Sequence, residues 1–115
     1  MITFNPAHKG VLDDLLLGLP AVRSGKMFGF PAYYAGKKLC ICLYENGVGI
    51  KVPESTVQKL LQTDPNALPF QPLGKHVMRE WVQIDQTDST GYLTYLPLFQ
   101  ESVNYVLALQ MEGKI

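Results

Sequence analysis

Residues that bind metals or carry redox chemistry are scarce in this chain: two cysteines and two histidines among 115 residues. A structural zinc site takes about four ligands, and His8 and His76 lie far in sequence from Cys40 and Cys42. Two cysteines also fall short of a secreted disulfide framework. Net charge is missing too, since ten basic residues balance ten acidic ones. A sequence-independent grip on nucleic acid rests on an excess of Lys and Arg, so composition speaks against one and leaves room only for a local patch. No run approaches the roughly 18–20 apolar residues of a membrane-spanning helix. The stretch MITFNPAHKG has no long apolar segment behind a basic start. Absent as well are HExxH, a Walker loop, a dinucleotide glycine fingerprint and a Ser–His–Asp order. These absences predict a cytoplasmic, non-enzymatic protein with no cofactor, no metal and no membrane contact.

What is present is a core. Apolar residues make up 47% of the chain and charged ones 17%, enough for a single domain over residues 1–115 to fold without staples. Asn5-Pro6 reads as a helix start, with Asn5 as N-cap and Pro6 in the first turn. Val11, Leu12, Leu15, Leu16 and Leu19 recur at helical spacing, which leaves His8, Lys9, Asp13 and Asp14 on the wet side. Gly18 and Pro20 end that helix. Strands follow near Arg23–Phe28, Ala32–Tyr34, Leu39–Tyr44 and Val48–Val52, punctuated by Gly29, Pro31, Gly36 and Gly47. Met27, Phe28 and Phe30 read as core or turn packing, and Gly29 as a place for an unusual φ.

Asn46-Gly47 is a preferred two-residue hairpin turn. It pairs Leu43 with Ile50, Ile41 with Val52 and Cys42 with Lys51. In that register Leu39, Ile41, Leu43, Val48, Ile50 and Val52 share one face. A second helix opens at Pro53-Glu54-Ser55, carries Val57, Leu60 and Leu61, and stops at Asp64-Pro65. Phe70 falls in a short extended piece, and Glu80–Asp85 is the next strand. The last helix begins at or just before Pro97, with a helical turn over Tyr92–Leu96 ahead of it and Phe99, Val103, Val106, Leu107 and Gln110 along one side. The order predicts an α+β two-layer sandwich: an antiparallel sheet of about five strands with helices at the N-terminus, middle and C-terminus.

Two blocks of sequence resemble a known family. The first, LPAVRSGKMFGFPAYYAGKKLCICLYENGVGIKV, is similar to the N-terminal domain of TfoX-like proteins. It carries Leu19-Pro20, Met27-Phe28-Gly29, Gly36 and Ile50-Lys51-Val52. The second, PFQPLGKHVMREWVQI, resembles the family's later block through Pro69, Phe70, Pro72, Gly74, Met78, Arg79, Glu80, Trp81 and Val82. Both blocks occur in the family's order, and the stretch from Leu19 to Ile84 that they bound is somewhat over half of the chain. The resemblance, to a family itself related to the YjbR-like proteins, implies a secretion-chaperone-like α+β fold and a binding or regulatory role, the namesakes being regulators of competence gene expression.

Three candidate sites follow from the residues. Cys40, Cys42, Tyr44 and Trp81 fall on the sheet face away from the helices, a semi-apolar surface that predicts an interface for a homodimer or protein partner unless the last helix covers it. Lys26, Lys51, Lys75, His76 and Arg79 form an anion or nucleic-acid patch if their strand ends are neighbours, and scattered solvated side chains if not. Cys42 opposite Lys51 is a candidate reactive thiol, hence a thiol-dependent enzyme as a further reading, against the plainer one of two small apolar side chains in a sheet. Cys40 and Cys42 on one strand face would stand roughly 6.5–7 Å apart with parallel side chains, which disfavours a disulfide. On a strand His76 and Glu80 would stand roughly 13 Å apart, too far to act as an acid–base pair.

Overall fold

The computed structural model describes every residue except Met1 and Lys75. Its elements in chain order are α1 (Pro6–Leu16), β1 (Val22–Met27), β2 (Phe30–Ala35), β3 (Lys38–Tyr44), β4 (Gly47–Lys51), α2 (Glu54–Thr63), β5 (Ala67–Pro69), β6 (Trp81–Asp85) and α3 (Leu96–Met111). A 3-10 segment at Ser89–Tyr95 leads into α3. The strands form one antiparallel sheet in the order β1-β2-β3-β4-β6-β5. This is the α+β sandwich that the sequence predicts, with six strands where about five were expected.

The helices lie on one face. Leu12 and Leu16 of α1, Val57 of α2 and Phe99, Val103 and Val106 of α3 are buried in one cluster with Ile41, Leu43, Val48, Ile50, Val82 and Ile84 of the sheet. Asn5 caps α1, its side chain accepting from the amides of Ala7 and His8. Pro97 sits in the first turn of α3, where its missing N–H breaks no bond, so the 3-10 segment and the helix join without a break inside either. At the far end of α3 the Gln110 side chain donates to the Ala35 carbonyl (2.7 Å) and accepts from the Lys37 amide (3.1 Å), which pins the β2–β3 turn.

Three local expectations are corrected. The β3–β4 turn is Glu45-Asn46, closed by the pair Tyr44 and Gly47. Partners are therefore displaced by two residues: Ile41 faces Ile50, Leu43 faces Val48 and Cys42 faces Gly49, not Lys51. Tertiary contacts override the Asn-Gly signal. The Glu45 amide donates to the Thr3 carbonyl (2.7 Å), and His8 Nε2 donates to the Asn46 carbonyl (3.2 Å). Gly47 is needed in the strand, because Gln83 and Asp85 fill the space a Cβ would take. A shift of two residues keeps every side chain on its own face, so the buried set survives the change of partners.

The second correction is a β-bulge. Tyr33 faces Ile41 but Tyr34 faces Leu39, so Cys40 is an extra residue in β3. The bulge turns Cys40 to the helical side and Leu39 to the other. Only five of the six residues expected to meet the helices do so. The freed polar groups are satisfied locally: Ser102 on α3 donates to the Cys40 carbonyl (3.1 Å), and the Cys40 thiol donates to the Tyr33 carbonyl (3.3 Å).

The third concerns His8, which is fully buried rather than on the wet side of α1. Its Nε2 donates to Asn46, which leaves Nδ1 as the acceptor for the Ser89 hydroxyl, and its ring meets Tyr92 edge-on at 4.9 Å. The ring thus ties α1 to the β3–β4 turn and the 3-10 segment. Elsewhere on α1, burial works against ionisation of Asp13, but hydrogen bonds from Lys9 and the Tyr33 hydroxyl outweigh it and hold the carboxyl below its ordinary value.

Candidate functional site

The sheet face turned away from the helices is covered by the chain itself. Phe30, Tyr44, Phe70 and Trp81 form a row across it, with successive ring centroids 5.0, 5.6 and 5.4 Å apart. Such contacts add about 0.5–1.5 kcal/mol per pair beyond area burial. Phe70, from the segment after β5, lies over Gly49, and the Tyr44 hydroxyl accepts from the Leu73 amide (2.8 Å). Of the four residues expected to present an open interface, Cys42, Tyr44 and Trp81 are buried in this layer and Cys40 lies under the helices. The cover is Phe70, not the last helix. The reactive-thiol expectation fails on the same geometry: Cys42 has no ammonium opposite it, and burial pushes both thiols up to about 12.

The covering segment makes a new surface. Phe28, Pro72, Leu73, His76 and Met78 line a cavity of about 340 Å³. Phe28 is 73% exposed and Leu73 52%. Both are held in the left-handed region, with φ of 49° and 59°, and each is followed by a glycine at positive φ, Gly29 at 88° and Gly74 at 71°. Phe28-Gly29 is the two-residue turn between Met27 and Phe30, a position that favours Asn, Asp or Gly. A bulky side chain there is an outlier that costs on the order of 1–2 kcal/mol. Reading Met27, Phe28 and Phe30 as packing missed this for Phe28. The signal was a large apolar residue directly before a hairpin glycine.

The predicted basic patch divides. Lys51, His76 and Arg79 line a second groove together with Glu54, Glu80 and Trp81, and it shares His76 and Met78 with the apolar cavity. One of its cations is answered by an anion: Lys51 pairs with Glu80 at 3.6 Å, and Glu80 also accepts from the Tyr105 hydroxyl. The pair is part-exposed and worth at most about 1 kcal/mol. Lys26 is on β1, with β2 and β3 between it and the strand of Lys51, a separation of about 14 Å. Lys75 lies outside the described residues. His76 and Glu80 line one groove, but residues 76–80 are not a strand as the 13 Å spacing assumed.

Among the described residues no group of three or more His, Cys, Asp or Glu side chains is placed to hold a metal ion, and no helix is long and apolar enough to cross a membrane. Compared with family models, curated proteins and solved structures, the chain matches none.

Proposed function

We propose that this chain is a protein-binding module without chemistry of its own, of the regulatory kind that its resemblance to the TfoX N-terminal family implies. The partner's apolar side chain enters the groove between Phe28 and the side chains of Pro72, Leu73, His76 and Met78. The observation that supports this reading is the pairing of cost and exposure at two facing positions. Phe28 and Leu73 hold unfavourable backbone conformations while leaving half or more of each side chain exposed. Strain of this kind persists where it positions groups for a partner. The mixed charge of the neighbouring groove, with Glu54 and Glu80 beside Lys51, His76 and Arg79, suits the polar rim of a protein interface better than a track for phosphates.

The test uses Phe28→Asn and Leu73→Asn, which suit positive φ and remove the apolar surface. Sedimentation equilibrium of the wild-type chain and the two variants reads self-association. Selection of a random peptide library on the wild-type chain, counter-selected on Phe28→Asn, reads binding of other partners. Self-association, or enriched aromatic and aliphatic peptides, that both substitutions abolish is the expected result. A chain that stays monomeric and yields no peptide sensitive to these substitutions would overturn the reading.

A further inference from the structure

The ten acidic residues are unevenly placed. None lies between Leu15 and Tyr44, a stretch that holds Arg23, Lys26, Lys37 and Lys38. These four cations all sit on β1, β3 or the turn between β2 and β3. None of them forms an ion pair among the described residues, where the salt bridges are Lys9–Asp13, Lys51–Glu80 and Lys114–Glu112. Arg23 instead lies 5.0 Å over the Tyr34 ring. The cations follow the β1–β2 hairpin, Arg23, Lys37 and Lys38 at one end and Lys26 near the Phe28-Gly29 turn at the other, so one side of a neutral molecule is cationic.

That side is also an open edge. β1 is the terminal strand of the sheet. Met27 and Phe30 close a two-residue hairpin and so exchange backbone hydrogen bonds. Alternation then turns the backbone groups of Ser24 and Lys26 outward. The Lys26 carbonyl is indeed reached from outside the ladder, by the Tyr34 hydroxyl at 2.7 Å. The opposite edge, β5, has three residues and ends in Pro69, the usual way to blunt an edge. β1 has six residues and no proline.

We infer that β1 accepts an extended acidic peptide as a seventh strand. Lys and Arg on an edge also serve to repel other strands, and here they exclude a second copy, which would bring two sets of four cations together. They do not repel an acidic strand, which gains both the outward amides and the charges. The groove at Phe28 plays no part in this inference, which rests on the edge and its charge alone.

The probe is a fluorescein-labelled peptide of about ten residues alternating Glu and Val. Its Lys–Val counterpart and a labelled duplex DNA are run beside it. Anisotropy should show saturable binding of the Glu–Val peptide to the wild-type chain and none of the Lys–Val peptide. Ser24→Pro, which removes an outward donor and leaves the β1–β2 ladder intact, and Arg23→Glu/Lys26→Glu should each weaken it by about tenfold or more. In the wild-type chain the peptide should slow amide exchange at Ser24 and Lys26, a readout independent of how the variants fold. Phe28→Asn should leave binding unchanged. Equal binding of both peptides, binding of DNA without the Glu–Val peptide, loss on Phe28→Asn, or no protection of the β1 amides would each overturn the proposal.

Discussion

The Phe70 ring occupies the space in which a side chain at Gly49 would lie: a Cβ built there stands 2.8 Å from Phe70 Cζ. The cover on the face away from the helices rests on this fit, and it can be measured. Gly49→Ala should destabilise the fold by about 1–3 kcal/mol through overpacking, and Phe70→Ala by about 3–5 kcal/mol. In the double variant the alanine no longer meets a ring, so the combined cost should be smaller than the sum by about 1 kcal/mol or more. Urea unfolding of the four proteins checks this, and strict additivity would mean the two positions do not touch.

His8 joins three elements from a fully buried position. Its replacement by Ala should cost about 2–3 kcal/mol, from the cavity and from partners left unpaired. Ser89→Ala should cost about 1 kcal/mol, since it removes one hydrogen bond and little volume. Denaturant midpoints of the two variants test the order; equal effects would place His8 outside the core.

Stability should fall at alkaline pH. Burial raises the Cys40 and Cys42 thiols from 9.0 to about 12, and hydrogen bonding to Glu80, then burial, raises the Tyr105 phenol from 10.0 to about 12. Burial also raises Tyr33 and Tyr92. In each case the folded state holds a proton that the unfolded chain releases at lower pH. The stabilisation is therefore complete below about pH 9 and is lost as pH rises towards about 12. Urea midpoints should be level from about pH 8 to about pH 9 and decline from there to about pH 11, and Cys42→Ala should make the decline shallower. A flat profile would contradict the burial of these groups.

Phe28→Asn should stabilise the chain. Asn tolerates φ near 49°, and the phenyl ring is mostly in solvent, so relief of strain outweighs lost contact by about 1 kcal/mol. A higher melting temperature together with loss of partner binding would be the trade-off expected of a site kept for function. A lower one would show that the ring supports the fold.

Much of this architecture was legible in the chain. Helical spacing located α1, α2 and α3, apolar runs between glycines and prolines located β1 to β4, alternation located β6, and Asn5 and Pro97 marked helix starts by simple chemistry, while β5 fell just before the extended piece read at Phe70. What failed was contextual. The β3–β4 turn followed contacts from Thr3 and His8, not Asn46-Gly47. The bulge at Cys40 depends on Ser102, some sixty residues later. His8 looked wet because its acceptor and donor, Asn46 and Ser89, arrive only on folding. The cover over Cys42, Tyr44 and Trp81 came from Phe70, whose role becomes readable once Gly49 is recognised as its seat. The Phe28–Leu73 groove lay hidden because two glycine-adjacent residues from distant segments had to meet before either was informative.

The double covering of the sheet bears on how the molecule opens. Along β3 and β4 the helices shield one side and the aromatic row the other, so peeling away a single layer leaves the other still packed on the middle ladder. Amide protons at Ile41, Cys42, Gly49 and Ile50 can trade with solvent only when both coats are shed together. Their lifetimes in heavy water therefore report the disassembly of the whole domain, while the rim around Phe28 breathes on its own clock.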